Sequence, residues 1–359
     1  MARAWTSIGA WLTLAAALLL AGCAEMKYTM RMDPEHPDGV PARVFPAAPE
    51  TPRYRYAGQL WGQDNLFSAE ANARSAGMRI LHWIAGLVGE EEEITTLRRP
   101  QAGMVGADGR VYVTDIAAHA VFVFDEAQGK LHVWEMAAEK RRFVTPIGIA
   151  EGPQQQVLVA DAEHGRIFML SREGKPTGSF GEGALVRPTG IARDASRGRI
   201  YVSDTHAHDV KVFDDHGRLI DTLGQRGEEE GAFNFPTHLA FAGDHLYVTD
   251  GMNARVQVFD GHGRLVKSFG QRGNYVGNLN RPKGVAVDGA GNVYVVEGFH
   301  DYLLVFDREG RFLLPIGGTG RGIGQFFLPA GVWSDARGRI FVADMFNGRV
   351  VIFQFLGAT

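Results

Sequence analysis

Cysteine is almost absent from this chain of 359 residues, since Cys23 is the only one. A single cysteine excludes an intramolecular disulfide framework and any paired-cysteine metal motif. An excess of charge of one sign is also lacking, because 37 Lys and Arg nearly balance 41 Asp and Glu and the net charge is -4. This balance excludes the basic footprint that is typical of proteins that bind nucleic acid.

Familiar catalytic motifs are lacking as well. No G-x-S-x-G elbow, P-loop or dinucleotide fingerprint stands between a strand pattern and a helix pattern, and no H-E-x-x-H occurs. Glycine is abundant at 46 residues, and 45% of the chain is hydrophobic. These proportions predict a folded protein with many tight turns.

The N-terminus reads as an export signal. Arg3 precedes an apolar run from Ile8 to Leu20, which is short for a membrane span, and the run leads into Leu-Ala-Gly-Cys at Cys23. This ending resembles the lipobox of bacterial lipoproteins, which implies removal of residues 1–22 and lipidation of Cys23. Ala24 then favours the outer membrane of the bacterial cell envelope over the inner membrane. The alternative is an ordinary secretory signal with an incidental cysteine.

Proline is concentrated in the next segment. Six prolines lie between residues 34 and 52, with little apolar periodicity. This composition predicts an extended, semi-rigid tether over residues 23–52, followed by one folded domain over residues 53–359.

The rest of the chain repeats itself. Stretches such as YVTDGMNARVQVFD recur, and their acidic residues follow one another every 43 to 47 positions: Asp115, Asp161, Asp204, Asp250, Glu297 and Asp344. Each repeat contains four short β-type runs separated by turn residues. A regular period of this length indicates supersecondary units stacked side by side.

Six such units predict an all-β fold, a six-bladed β-propeller with four-stranded antiparallel blades. The last unit stops after its third strand, whereas residues 53–60 near the start read like a fourth strand. We therefore expect this N-terminal strand to complete the C-terminal blade, which would close the ring and remove an exposed sheet edge.

The repeat resembles a known family. The pattern P-x-G-[IV]-A, then Y-V-x-D, then N-x-R-V-x-V-F-D is similar to the NHL repeat, and Asn253 to Arg255 and Asn347 to Arg349 fit it best. The resemblance covers the chain from about residue 53 to the end. It implies the propeller fold, and it implies little about function, because NHL-type propellers bind proteins, nucleic acids or ligands and include one lyase branch.

The repeated acids predict a structural role. A carboxylate at the end of each second strand is suited to accept N–H bonds from its own turn. The Asn and Arg that follow are expected to satisfy loop backbone and to link neighbouring blades.

Departures from the repeat are the candidate site. The loops that follow the second strands carry His206, His208 and His300, and His238 replaces a repeated glycine in the fourth unit. Converging imidazoles would hold Zn or Ca in the central funnel. The alternative is that they are solvated loop histidines. Glu297 also departs from the repeat, because it replaces an aspartate.

Three cations are further candidates. Arg226 and Arg272 lie in repeated G-Q-R-G loops, and Lys283 follows a repeated proline. They are interpreted as anion contacts or, alternatively, as solvated loop cations.

An insertion follows the closing strand. Apolar residues recur at helical spacing within residues 68–89, which predicts one amphipathic helix. It would lie against the blades or across the funnel mouth. Membrane contact is disfavoured, because its polar face lacks a belt of Lys and Arg.

The favoured hypothesis is a non-enzymatic, monomeric propeller that is anchored to the envelope membrane and binds a protein, peptide or small ligand. The alternative is a metal-dependent enzyme, similar to propeller lactonases or to the NHL-type amidating lyase. A third hypothesis is a structural part in an envelope complex.

Overall fold

The computed structural model describes residues 28–33, 43–68 and 95–357. It contains six radially arranged antiparallel sheets, and the predicted six-bladed propeller is confirmed. Cys23 and nearly all of the predicted helix at residues 68–89 lie outside the described residues. Within them, no helix is long and apolar enough to span a membrane.

Five blades are formed by four consecutive strands each, and the innermost strand comes first. Blade 1 contains β5 (Pro100–Val105), β6 (Val111–Asp115), β7 (Ala120–Asp125) and β8 (Lys130–Trp134). Blade 2 contains β11 (Pro146–Glu151), β12 (Val157–Asp161), β13 (Arg166–Leu170) and β14 (Pro176–Phe180). Blade 3 contains β15 (Pro188–Asp194), β16 (Arg199–Asp204), β17 (Asp209–Asp214) and β18 (Leu219–Leu223).

Blades 4 and 5 follow the same plan. Blade 4 contains β19 (Pro236–Ala242), β20 (His245–Asp250), β21 (Arg255–Asp260) and β22 (Leu265–Phe269). Blade 5 contains β23 (Pro282–Val287), β24 (Val293–Glu297), β25 (Tyr302–Phe306) and β26 (Phe312–Gly317). A small hairpin, β9 (Met136–Ala138) with β10 (Arg141–Arg142), joins blades 1 and 2. Short 3-10 turns lie at Gln63–Asn65, Pro153–Gln155, Gly251–Asn253 and Met345–Asn347.

Blade 6 closes the ring with both ends of the chain. Its strands β27 (Val332–Ser334), β28 (Arg339–Asp344) and β29 (Arg349–Phe355) are completed by the N-terminal strand β3 (Tyr54–Leu60), which pairs antiparallel with β29. The predicted closure is confirmed. A fifth, short strand, β2 (Val44–Phe45), then pairs with the outer edge of β3.

Parts of the segment that is predicted to be a tether pair with the propeller. Strand β1 (Thr29–Met30) pairs with β4 (Leu66–Phe67), and the Tyr56 hydroxyl donates to the Asp33 carboxylate at 2.9 Å. Residues 44–45 therefore lie against blade 6, and residues 28–33 lie beside blades 6 and 1. The physical reason is the free edge of β3, whose N–H and C=O groups gain partners when the chain folds back over it.

Hydrophobic contacts hold the blades to one another. Six clusters of buried side chains lie between neighbouring blades; one of them joins Val121 and Val123 of blade 1 to Val157 and Val159 of blade 2. Each sheet thus buries both faces, which explains the nearly continuous apolar strands. The six innermost strands surround the central axis.

Candidate functional site

The acidic residue at the end of each second strand joins two loops on one face of the propeller, here called the top face. Asp115 accepts the N–H groups of Ala117 and Ala118 in its own turn, both at 2.9 Å. It also accepts those of Arg98 at 2.6 Å and Arg99 at 2.8 Å, just before the innermost strand. The predicted structural role of the acids is confirmed.

Blades 4 and 6 add an arginine to this arrangement, and that of blade 6 is buried. Asp344 accepts from Asn347 and Arg349, both at 2.8 Å, and the same guanidinium donates to the side-chain oxygen of Gln59 at 3.0 Å. Because Gln59 lies on the closing strand, Arg349 ties the end of the chain to its beginning. Asn253 and Arg255 bond to Asp250 and to loop carbonyls in the same way, as predicted.

Glu297 is the blade 5 form of the same arrangement. Only 1% of its surface is exposed, and it accepts the N–H groups of Arg281 at 2.8 Å, Phe299 at 3.2 Å and His300 at 2.8 Å. The His300 ring nitrogen Nδ1 lies 3.1 Å from its second oxygen. Both oxygens are thus engaged within the chain, and the expectation that Glu297 contacts a ligand is not supported by this geometry.

The predicted metal set is not brought together. No group of three or more His, Cys, Asp or Glu side chains within the described residues is arranged to hold a metal ion. His206 is exposed, and its ring lies at 6.0 Å, edge to face, from that of Phe235. His300 is bonded to Glu297. The four histidines belong to three different blades, so their convergence depended on loop positions that the sequence does not reveal.

His208 has a structural role. It has a left-handed backbone, with φ at 59°, and its Nδ1 accepts the backbone N–H of Phe235 at 3.2 Å. Asp301, at the equivalent place in blade 5, accepts the N–H of Leu328 at 2.7 Å. Burial lowers the pKa of His208, with smaller contributions from Arg226 and His206.

His238 is the one predicted candidate that lies on the central axis. It lines a cavity of about 300 Å³ that is enclosed by the innermost strands and walled mainly by Ala, Ile, Leu, Val and Phe side chains. Neither ring nitrogen of His238 is accessible or has a hydrogen bond of good geometry within the described residues. Burial lowers the pKa of His238 to about 4, Lys283 lowers it further, and the Lys283 carbonyl offsets part of the effect.

The three predicted cations are placed differently. Arg226 and Arg272 are exposed on the top face, and Arg272 donates to the Met252 carbonyl at 2.8 Å. Lys283 is partly buried beside His238, and burial lowers its pKa. Arg226 and Arg272 therefore remain available to an anion at the surface, whereas Lys283 affects the central cavity.

An exposed apolar patch on the top face was missed by the sequence reasoning. We define the top patch as five side chains from blades 4, 5 and 6: Phe235, Met252, Phe299, Phe327 and Phe346. Phe299 is 66% exposed. The sequence contains a signal for the top patch, because Met252, Phe299 and Phe346 each stand two positions after the repeated acid.

Trp333 was missed as well. It is one of the residues that line the central cavity, its indole stacks on Phe341, and Nε1 is buried without a partner within the described residues. Only a weak signal was available for it, since an isolated tryptophan in an inner strand is more often part of the core.

Comparisons with known proteins agree with this architecture. The protein family described as "SMP-30/Gluconolactonase/LRE-like region" matches this chain over residues 102–316. The protein named brain tumor from Drosophila melanogaster is 29% identical over 176 residues, which cover 45% of this chain and only 17% of that protein. Both matches are consistent with the predicted NHL-like propeller.

Solved structures share the fold at low sequence identity. A Bacteroides thetaiotaomicron protein of unknown function has a TM-score of 0.58 and 15% identity, with 74% of this chain and 71% of that chain covered. Virginiamycin B lyase from Staphylococcus aureus has a TM-score of 0.53 and 13% identity, with coverages of 72% and 80%. At these identities the similarity shows the propeller alone.

Proposed function

The chain belongs to the SMP-30/gluconolactonase/LRE-like family, and we propose that it is a binding propeller of the bacterial cell envelope. Its top face would hold a segment of a partner protein that carries both apolar and acidic side chains. The observation that carries this proposal is the top patch.

Apolar side chains that are exposed together on one face of a protein are characteristic of interaction surfaces. The rings of Phe327 and Phe346 lie 5.5 Å apart, edge to face, and Phe299 stands on the neighbouring blade. Each of these rings can bury a large area at little cost in side-chain entropy, which is typical of binding hot spots.

Positive charge surrounds the same patch. The Arg99 guanidinium lies 5.2 Å over the Phe346 ring, and Arg272 is bonded to the backbone of Met252. Arg281 is exposed at the start of blade 5. The repeated acids at the strand ends are buried and used in loop bonds, as for Glu297, and exposed acids of this face lie in the loops of blades 2 to 4, at Glu163 and at residues 228–230. The exposed charges beside blades 5 and 6 are therefore cationic. An acidic, apolar partner segment complements this distribution of charge.

A peptide experiment tests the proposal. We expect peptides that alternate Glu with Phe or Leu to bind the full chain, and matched peptides with Lys in place of Glu to bind at least tenfold more weakly. The double variant F299A/F346A should lose at least tenfold in affinity, because it removes two anchors. Leu313→Ala, which changes an exposed side chain of the outer strand β26, is the matched control.

Two outcomes would overturn the proposal. One is equal binding of the Glu and Lys peptides. The other is that the double variant and the control Leu313→Ala both bind the Glu peptide with wild-type affinity. Thermal unfolding of each variant, followed by circular dichroism, separates a loss of binding from a loss of fold.

The proposed membrane anchor is Cys23. Tyr28 already lies against blade 1, because a Cβ placed on Gly129 would contact its backbone. Only five Cα-to-Cα steps separate Cys23 from Tyr28, so they can span at most about 18 Å. A lipid on Cys23 would therefore hold the propeller close to the membrane surface, not at the end of a long tether.

Lipidation is tested by Cys23→Ser. We expect the wild type to incorporate a labelled fatty acid and to fractionate with membranes, and the variant to do neither. Incorporation of label by the variant, or its unchanged membrane fraction, would contradict the anchor.

A hydrolase or lyase acting at the central funnel is the second candidate function. Family membership favours it, together with the unpaired imidazole of His238 in the cavity. Turnover of a panel of lactones, esters and amidated peptides by the full chain, abolished in His238→Ala, would support catalysis. A stoichiometric metal lost in the same variant would add a metal-dependent mechanism.

A further inference from the structure

One cation stands in the ring of residues at the top of the central funnel. Each blade contributes to this ring the residue after its repeated proline, and the six residues are Gln101, Ile147, Thr189, Thr237, Lys283 and Ala330. Lys283 is the only charged member. Its carbonyl accepts the hydroxyls of Thr237 at 3.1 Å and Thr249 at 2.7 Å. The backbone of Lys283 is therefore held in place by blade 4.

The aliphatic stem of Lys283 passes beside a glycine that leaves room for it. A Cβ placed on Gly298 would lie 3.3 Å from Cε and 3.4 Å from Cδ of the lysine. The backbone of Gly298 is not left-handed, so its conformation does not require glycine. Four other blades carry a side chain at this place after the repeated acid: Ile116, Ala162, Thr205 and Met345. In blade 5 the lysine stem uses that space.

The ammonium group at the end of this stem has no partner in the described part of the chain. Lys283 is partly buried, yet its Nζ is accessible and makes neither a hydrogen bond nor an ion pair there. Asp301 is used elsewhere, because it accepts the Thr319 hydroxyl and the Leu328 N–H, both at 2.7 Å. Burial lowers the pKa of Lys283, Arg281 lowers it further, and Asp301 offsets part of the effect. A partly buried cation on which a like charge acts more strongly than an opposite one lacks a counter-ion.

Two neighbours of Lys283 define the group that fits beside it. Arg281 is exposed, and its carbonyl accepts the N–H of Gly298 at 3.1 Å, so both cations lie at the same turn. The next residue is Phe299, the most exposed ring of the top patch. Two cations can bind the two oxygens of one carboxylate, and the adjacent ring offers an apolar surface to the rest of the ligand.

We propose that Lys283 and Arg281 bind a carboxylate at the top of the funnel, beside the Phe299 ring. The carboxylate is an acidic side chain or the C-terminus of the partner segment, so this site rests on the proposed function and specifies its polar contact. It supplies the counter-ion that Lys283 lacks within the described residues.

Acetylation of lysines by acetic anhydride tests the site without a peptide. Hydrocinnamate carries one ring and one carboxylate, and its primary amide is the uncharged counterpart. We expect millimolar hydrocinnamate to slow acetylation of Lys283 in the full chain by about threefold or more, and the amide to leave the rate unchanged, because only the carboxylate pairs with the ammonium. Lys140, exposed in the turn of the β9–β10 hairpin, is the internal control and should react at one rate in both solutions. Mass spectrometry of proteolytic fragments measures each rate.

Peptides identify the source of the carboxylate. Lys283→Met removes the charge and keeps most of the stem, so it should weaken binding of the Glu-containing peptides by about fivefold or more, whereas Lys140→Met should stay within about twofold of wild type. Loss of affinity on replacing Glu by Gln assigns the carboxylate to a side chain. Loss on amidation of the peptide assigns it to the C-terminus, and no loss in either case contradicts the site. Thermal unfolding followed by circular dichroism confirms that the variants are folded.

The site is also overturned if hydrocinnamate and its amide protect Lys283 equally or not at all, or if Lys283→Met and Lys140→Met bind the peptides alike. Protection of Lys283 by hydrocinnamate without any peptide binding would remove the proposed function and retain a site for small carboxylates. Peptide binding that depends on Phe299 and Phe346 but not on Lys283 would have the opposite meaning.

Discussion

Two rings of repeated positions surround the propeller axis, and they differ in whether their polar groups are satisfied. The acidic ring at the ends of the second strands consists of carboxylates that accept hydrogen bonds from the loops around them, as at Asp115. In the inner ring, small residues dominate and the one polar member, His238, has no partner of good geometry in the described chain. The repeated polar group is therefore structural, whereas the group that occurs once is the better candidate for binding.

The largest effect is expected from breaking the acidic ring at Asp344. Asp344→Ala removes the partner of Arg349, which is only 3% exposed, and leaves a buried guanidinium without its carboxylate. We expect the free energy of unfolding to fall by about 3–5 kcal/mol. Urea denaturation followed by circular dichroism measures it.

Glu309→Ala is the control, because Glu309 is more than half exposed and its ion pair with Arg311 lies at the surface. It should cost less than about 1 kcal/mol. Equal losses of unfolding free energy in the two variants would show that burial of Arg349 does not require the Asp344 carboxylate.

A smaller effect is expected from placing a side chain in the inner ring. In Gly148→Ala, the new Cβ meets the Thr189 carbonyl oxygen, so the two inner strands must move apart. We expect a loss of about 1–3 kcal/mol in unfolding free energy. Gly289→Ala is the control, since nothing lies within 4 Å of its Cβ position. A milder effect at Gly148 than at Gly289 would contradict the crowding argument.

The smallest expected effect is a pH dependence that comes from His238. Its pKa is about 4 in the folded protein, because burial and then Lys283 disfavour the charged form, against about 6.5 for an unfolded histidine. Between pH 6.5 and 4 the unfolded chain binds a proton that the folded chain does not bind. Stability from this group is thus complete above pH 6.5 and declines as the pH falls.

The measurement compares wild type with His238→Ala. Relative to the variant, the wild type should lose about 1 kcal/mol in unfolding free energy between pH 7 and pH 5.5. Glu151 and Arg193, which line the same cavity, and Lys283 beside it are present in both proteins and cancel in the difference. Parallel stability curves would show that His238 is solvated instead.

Much of the fold was predictable, because each repeat carries its own strand pattern and turn signals. The closing strand Tyr54–Leu60 was predictable for the same reason, since it copies a strand that the last repeat lacks. The N-terminal segment was harder, because proline content describes local stiffness. Its contact with blade 6 depends on the edge of β3, which exists only after the ring closes.

The candidate site was less predictable. His206, His208, His238 and His300 share a departure from the repeat, yet they differ in environment. His208 supports the backbone of Phe235, and His300 pairs with Glu297. Only the packing of neighbouring blades decides which side chain faces a loop, a carboxylate or the central cavity.

The sequence by itself determined the number of blades, the way the ring closes and the structural use of the repeated acids, because these follow from local periodicity and from hydrogen bonds within a turn. Tertiary structure decided which polar groups remain unsatisfied. His238 and Trp333 come from different blades and line one cavity only when the inner strands surround the axis. Whether a buried polar group finds a hydrogen-bond partner depends on all of its neighbours in space, and a local sequence pattern does not encode those neighbours.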